Sequence, residues 1–237
     1  MQVKEAIILA GGLGTRLQTT VPDLPKPMAP VAGKPFLEYL LKYLNHYGYS
    51  KVVLSVGHLA EKIKNHFGIR YENLKISYAE EKSKLGTGGA LKFALQYCET
   101  DHVLVLNGDS FFDVNLDEFF FFHHHYSGMF SIATRKVENA ARYGTIETEG
   151  DEITAFREKT GEETQGLINC GVYMVDHHFF LDSCPQEDSF SLETEFLSKH
   201  VNDFGFFAFV ENGYFIDIGI PEDYERAQHE FTSFTYQ

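Results

Sequence analysis

The chain's 237 residues suffice for one substantial hydrophobic core. A formal net charge of -14 argues against a nucleic-acid or anionic-membrane surface, and a phosphate-handling protein this acidic must gather its cations locally or use a divalent metal. No run is long enough to cross a bilayer and no signal-peptide pattern opens the chain, so cytoplasmic residence is expected, with Cys98, Cys170 and Cys184 as buried free thiols.

In chain order, the run from Ala6 to Ala10 predicts a buried strand that empties into the turn Gly11-Gly12-Leu13-Gly14. Glycine lets backbone N–H groups approach an anion, because no Cβ stands in the way. Arg16 puts a permanent cation beside that turn. Lys26, between Pro25 and Pro27, is expected on a stiff, extended arm. Together these residues suggest a cradle for a polyphosphate, with a plain surface turn as the alternative for the glycines alone. Two familiar phosphate motifs do not fit. A P-loop requires Gly-Lys followed by Ser or Thr, and a dinucleotide fingerprint opens a helix where Thr15-Arg16-Leu17 and a proline-laden segment stand here.

Leu24 to Pro35 reads as irregular. Apolar residues at helical spacing predict a helix over Phe36 to Leu44, with Gly48 as its stop. A strand over Val52 to Gly57, a short helix over Ala60 to Phe67 and a strand over Leu74 to Ala79 follow. The glycine-rich loop Leu85 to Ala90 then opens a helix over Leu91 to Tyr97, and the strand Val103 to Leu106 ends in Asn107-Gly108-Asp109. This alternation implies a parallel sheet with right-handed crossovers.

After about Asp113 the pattern changes. Phe119 to His125 is expected on a helix whose His123-His124-His125 end is solvated, since adjacent helical residues point in different directions and make a poor metal cluster. A strand over Met129 to Lys136, a hairpin of 144–148 and 152–156 through Gly150-Asp151, and a strand over Gly166 to Val175 are predicted next. A helix over Leu192 to Val201, a strand over Phe206 to Val210 and an extended Tyr214 to Ile218 precede a last helix opened by Pro221. The expected fold is α/β: one Rossmann-like domain over 1–237, with a mainly parallel central sheet flanked by helices over about 1–113 and a smaller, hairpin-containing half over about 114–237.

Ligands of open parallel sheets sit beyond the carboxyl ends of the strands. Gly11-Gly12, Gly86 to Gly89 and Asp109 each follow a predicted strand and should converge on one rim. A second isolated acid, Asp217, lies in the apolar run Phe215 to Ile220 and needs a partner if buried. Two such carboxylates beside a phosphate nest suggest a Mg2+ ion shared with nucleotide phosphates, since magnesium keeps several waters and takes few protein ligands.

Leu9 to Leu17, Pro25-Lys26-Pro27, Gly86 to Ala90, Asn107-Gly108-Asp109, Glu158-Lys159, Asn169-Cys170-Gly171 and Asp217 to Pro221 together resemble, in order and spacing, the sugar-1-phosphate nucleotidyltransferases. The resemblance covers nearly the whole chain and is strongest to short members, the D-glycero-D-manno-heptose 1-phosphate guanylyltransferases. It implies that a nucleoside triphosphate and a sugar 1-phosphate give an NDP-sugar and pyrophosphate. It further implies that Arg16 holds the β- and γ-phosphates, Lys26 the α-phosphate, and Asp109 and Asp217 the metal. Leu9, Ala10, Gly11, Gly12, Gly86 and Thr87 would bracket the base, with Gly14, Thr15, Asn107 and Gly108 completing the nucleotide site. Lys159 would hold the sugar phosphate, Glu158 and Asn169 the sugar hydroxyls, and Gly144 would lie against the sugar. Where the family often has Trp or another aromatic before the final acid, this chain has Tyr214-Phe215-Ile216, a change that bears on pocket shape.

Glu81 falls where the family reads the base. A guanine edge offers two adjacent donors, and an ionised carboxylate accepts both; a uracil edge suits an amide better. Glu81 therefore favours GTP, unless it is a solvated charge in Glu80-Glu81-Lys82. The expected partners are GTP and a sugar 1-phosphate, with no nucleic acid and no membrane, in a monomer or homodimer. Mannose 1-phosphate or a uridylyl transfer of the N-acetylmuramate 1-phosphate type keeps the same chemistry. A catalytically silent nucleotide-sensing subunit is the non-enzymatic alternative, against which the intact charges argue.

Overall fold

The computed structural model describes residues 4–12, 23–157, 159, 161 and 163–234. In the first half β1 (Glu5–Leu9) is followed by a 3-10 turn at Lys26–Met28 and a small hairpin of β2 (Pro30–Val31) and β3 (Lys34–Pro35). Then come α1 (Phe36–His46), β4 (Lys51–Val56), α2 (Ala60–Phe67), β5 (Arg70–Tyr71), β6 (Leu74–Glu80), α3 (Gly86–Leu95), β7 (His102–Asn107) and β8 (Ser110–Phe112). The second half adds α4 (Leu116–His125), β9 (Phe130–Val137), the hairpin of β10 (Thr145–Glu149) and β11 (Glu152–Arg157), β12 (Gly166–Asp176) and α5 (His177–Ser183). A π-helical stretch, Leu192–Leu197, runs into α6 (Ser198–His200), and β13 (Phe206–Val210), β14 (Phe215–Asp217) and α7 (Pro221–Glu230) complete the order.

β1 lies between β4 and β7, parallel to both, with Ile7 opposite Val53 and Val105. Burial on both faces explains why these strands read as continuous apolar runs. Ala6, Ile8, Val52 and Leu54 face one core with Phe36, Leu40 and Leu44 of α1, Ile63 of α2 and Ala227 of α7. Ile7 and Val53 face the other, with Leu91 and Leu95 of α3, Phe180 of α5 and Phe196 of the π-helical stretch. The alternation along each strand thus divides its side chains between two helical layers. Cys98, Cys170 and Cys184 are buried free thiols. No helix among the described residues is long and apolar enough to cross a membrane.

The sheet is mixed rather than mainly parallel. Its ten strands run β10-β11-β13-β9-β12-β7-β1-β4-β6-β5, and β12 is antiparallel to both β7 and β9. The crossover through α4 sets β9 two places from β7, and β12 returns to fill the slot between them. An apolar run predicts a buried strand but not its direction, which the connections decide. β10 also pairs with β12, so β9, β12, β10, β11 and β13 close on one another around Ile132, Ile146, Ile153 and Ala208.

Four local expectations are corrected. Lys26 lies in a 3-10 turn instead of an extended arm; Pro25 alone is extended, at φ -65° and ψ 145°. The helix expected over Leu192 to Val201 is π-helical in its first six residues. α5 and β8 were not expected; Asp176 caps α5 by accepting from the Phe179 amide at 2.7 Å. The histidine end of α4 is not wholly solvated, because His123 is fully buried. Its Nδ1 lies 2.8 Å from Ser131 Oγ and its Nε2 3.1 Å from His102 Nδ1, while His124 and His125 are exposed. Phe119 and His123 are one helical turn apart, so the stripe that seats α4 on the sheet takes one member of the triplet inside. Burial, with the neighbouring His102 and His124, pulls the His123 pKa down to about 3.

Candidate active site

A cleft of about 660 Å³ opens at the carboxyl ends of β1, β4, β6 and β7. Leu9, which ends β1, and Ala10 to Gly12 after it line the wall, with Gly57 and His58 after β4, Glu81 to Lys84 after β6, Asn107 at the end of β7 and Gly108 and Asp109 beyond it. Lys26, Pro27, Gly86, Thr87 and Ala90 complete the lining. The loops approach closely because side chains are missing where they meet. A Cβ on Gly108 would stand 2.7 Å from the Leu9 carbonyl oxygen, which already accepts the Gly108 amide at 3.0 Å. Among the described residues, Lys26, Lys82 and Lys84 bring cations to this cleft of a chain whose net charge is -14.

The mouth of the cleft joins residues that are far apart in sequence. β8 pairs with β14, with Ser110 opposite Asp217, and the Ile218 amide donates to the Asp109 carbonyl at 3.0 Å. Lys26 Nζ lies 2.5 Å from Asp109 Oδ2 and 3.8 Å from Asp217 Oδ1. A Cβ on Gly219 would collide with that ammonium. Burial, then the charge of Asp109, pushes the Asp217 carboxyl pKa up, while Lys26 and the Gly219 amide hold it down. Two carboxylates that turn oxygens towards one cation form a donor pair suited to a hard divalent ion as well as to an ammonium.

Glu81 lines the same cleft. Its Oε1 accepts from Ser55 Oγ at 3.0 Å, and its Oε2 accepts from the Leu85 amide at 3.5 Å. Burial raises its pKa; those two donors act in the opposite direction. A Cβ on Gly11 would strike Oε1. Glu81 is thus a positioned, half-buried carboxylate and not a solvated charge.

The stretch Gly86 to Gly89 is not a loop ahead of the helix. Gly86 has φ +72°, and it opens α3 within the helix rather than in a loop before it. Gly88 and Gly89 give their amides to the Phe190 carbonyl, at 3.0 and 3.3 Å, and a Cβ on Gly88 would run into the Phe190 ring. Close packing accounts for these two residues. Thr87 Oγ1 donates to Glu193 Oε2 at 2.9 Å and accepts from the Leu192 amide at 2.9 Å, so its hydroxyl ties α3 to the π-helical stretch.

On the sugar side the structure brings fewer free groups together. Asn169 lies at the β12 irregularity, where its Oδ1 accepts from the Gly171 amide at 2.9 Å and its Nδ2 donates to Tyr173 OH at 2.9 Å. A Cβ on Gly144 would stand 2.9 Å from the Arg157 carbonyl oxygen, so backbone approach explains that glycine. Lys159 is exposed after β11. Gly14, Thr15, Arg16 and Glu158 lie outside the described residues. Sequence reasoning missed Ser55, Gly57, His58, Lys82, Ser83 and Lys84. Their one signal was position at the carboxyl end of a predicted strand.

The chain matches the family described as Nucleotidyl transferase over residues 5–233. It is 43% identical over 227 residues to the D-glycero-alpha-D-manno-heptose 1-phosphate guanylyltransferase of Aneurinibacillus thermoaerophilus, covering 95% of this chain and 97% of that protein. Identity to the protein of the same name from Campylobacter jejuni is 42% over 221 residues, covering 93% and 96%. The crystal structure of HddC from Yersinia pseudotuberculosis complexed with GMP-PN is similar at TM-score 0.85 and 36% identity, covering 97% of this chain and all of that one. A family match that runs from the first strand to beyond the last helix, joined to relatives aligned over nearly their full length, establishes that the chain belongs to the nucleotidyl transferase family.

Proposed function

We propose that the protein is a sugar-1-phosphate guanylyltransferase that joins GTP and D-glycero-D-manno-heptose 1-phosphate into GDP-heptose and pyrophosphate. The observation that carries this reading is the convergence of Asp109, Asp217 and Lys26 at the mouth of a cleft that also holds Glu81. The heptose is favoured because two relatives above 40% identity bear that name.

An oxygen of the sugar phosphate attacks the α-phosphorus of GTP in line. A new phosphorus–oxygen bond forms as the bond to the β-phosphate bridging oxygen breaks, and pyrophosphate leaves with that electron pair. The nucleophile is already an anion at neutral pH, so no general base is required. The protein's task is to hold two repelling anions in line and offset the charge of the transition state. Lys26 is assigned the α-phosphate between the two substrates, where its ammonium would neutralise charge. Asp109 and Asp217 would hold Mg2+, which supplies Lewis-acid charge neutralisation at the phosphates. Glu81 accepts N1–H and the 2-amino group of guanine. Leu9, Ala10, Gly11, Gly12, Gly86 and Thr87 bracket the base, and Gly14, Thr15, Asn107 and Gly108 complete the nucleotide site. Arg16 is assigned the leaving phosphates, Lys159 the sugar phosphate, and Glu158, Asn169 and Gly144 the sugar, on the resemblance of their motifs.

Pyrophosphate release tests the reading, with the four common nucleoside triphosphates set against a panel of sugar 1-phosphates. GTP with heptose 1-phosphate is expected to give the highest kcat/KM. Preference for UTP, or for mannose 1-phosphate, would replace the substrates and leave the chemistry. Tight GTP binding without turnover on any sugar phosphate would point to a sensor.

A further inference from the structure

Ser55 is the one hydroxyl in the β4 run Lys51-Val52-Val53-Leu54-Ser55-Val56, and it is fully buried. A hydroxyl among apolar side chains is unfavourable unless it is hydrogen-bonded. Its partner is Glu81, across the ends of β4 and β6. Both the donor and the acceptor are mounted on rigid backbone. Leu9 and Ala79 flank Ser55 in two parallel ladders, the Ala10 amide donates to the Ser55 carbonyl at 2.8 Å, and the Glu81 amide donates to the Val56 carbonyl at 2.8 Å. On its other side the carboxylate lies against Gly11, where a side chain would displace Oε1.

We infer that Ser55 is a positioning residue for base selection, fixing the Glu81 carboxylate in the orientation that accepts both donors of a guanine edge. The inference rests on the reading of Glu81 as the group that meets the base. An ionised carboxylate has about four lone-pair sites. The Ser55 hydroxyl takes one on Oε1 and the Leu85 amide one on Oε2. One site on each oxygen then remains for N1–H and the 2-amino group. Without the hydroxyl, Oε1 keeps no side-chain donor among the described residues, and only the 3.5 Å Leu85 contact on Oε2 opposes rotation of the carboxylate about its last bond. Two parallel donors suffer from that rotation more than one donor does.

The test compares GTP with ITP, which keeps N1–H and lacks the 2-amino group. The native enzyme is expected to prefer GTP by about tenfold or more in kcat/KM. Ser55→Ala is expected to reduce that ratio by about fivefold, through a raised KM for GTP, with kcat and the melting temperature nearly unchanged. Glu81→Gln is expected to abolish the preference. If Ser55→Ala keeps the native ratio while Glu81→Gln loses it, Ser55 does not position the carboxylate and the inference is overturned. A fall in kcat and Tm with the ratio intact would likewise make Ser55 merely structural. If Glu81→Gln also keeps the ratio, Glu81 does not read the base, and both the guanine assignment and this inference fall.

Discussion

Asp217 stands opposite Ser110 in the β8–β14 ladder, which sets it beside Asp109 at the end of β7. Replacing either aspartate with Ala is expected to lower kcat/KM by on the order of a thousandfold. Chelation with EDTA should abolish turnover of the native enzyme, and added Mg2+ should restore it. Turnover by the Asp109→Ala, Asp217→Ala double variant at native rates, measured by pyrophosphate release, would refute the metal assignment.

Lys26 shares its ammonium between those carboxylates, and Gly219 leaves the space for it. Lys26→Ala should reduce kcat by roughly a hundredfold or more, with a smaller change in the KM for GTP, because its charge is needed most when the α-phosphate is in transit. Gly219→Ala should impair kcat in the same direction by pushing the ammonium aside. Steady-state kinetics on both variants would expose the opposite pattern, a KM effect with kcat intact.

His123 makes stability depend on pH. Burial holds its pKa at about 3 against an ordinary value of 6.5, so the unfolded chain takes up a proton before the folded one does. Its contribution is therefore whole above about pH 6.5 and is lost as pH falls from there towards 3. Between pH 7 and pH 5 the loss amounts to roughly 2 kcal/mol. Urea midpoints over that interval should fall less steeply in His123→Gln than in the native protein. Equal slopes would show that His123 charges without unfolding.

Glu5 acts in a lower window. It is buried, yet Lys51 at 2.7 Å and the amides of Glu99 and Thr100 at 2.6 and 2.8 Å outweigh the burial and hold its pKa below the ordinary carboxyl value. A carboxyl with a depressed folded pKa stabilises the fold above its unfolded value and loses that contribution as pH falls through the folded one. Glu5→Gln should accordingly lower the urea midpoint at pH 7 and change it less at pH 3. A constant difference across that range would mean that Glu5 acts through packing alone.

Gly88 separates two roles for a glycine-rich turn. Gly88→Ala drives a methyl into the Phe190 ring and should cost about 2 kcal/mol of stability. Phe190→Leu in the same background should recover part of the melting temperature. If instead Gly88→Ala leaves Tm intact and weakens GTP binding alone, that glycine serves the nucleotide and not the packing.

The parallel half was legible because its strands are buried on both faces and its helices carry an apolar stripe, patterns that are local in the chain. The hairpin of β10 and β11 was legible through Gly150, and α7 through Pro221. Strand direction in the second half was not, since the return of β12 between β7 and β9 depends on where α4 has already placed β9. His123 misled for a related reason: its burial is set by contacts with His102 and Ser131, on strands that only the folded sheet brings beside α4.

By itself the sequence singled out the residues proposed to carry the chemistry: in an acidic chain, a lysine between prolines, acids at the ends of apolar runs and glycines after the first strand. Only the tertiary structure decided that Lys26, Asp109 and Asp217 meet at one point, and that Glu81 is held by a buried serine on the neighbouring strand. Composition and periodicity report how each segment meets its surroundings. Distances between segments arise only when the sheet closes, because hydrogen-bonded ladders such as that of β8 and β14 transmit position across stretches of chain with no local trace of one another.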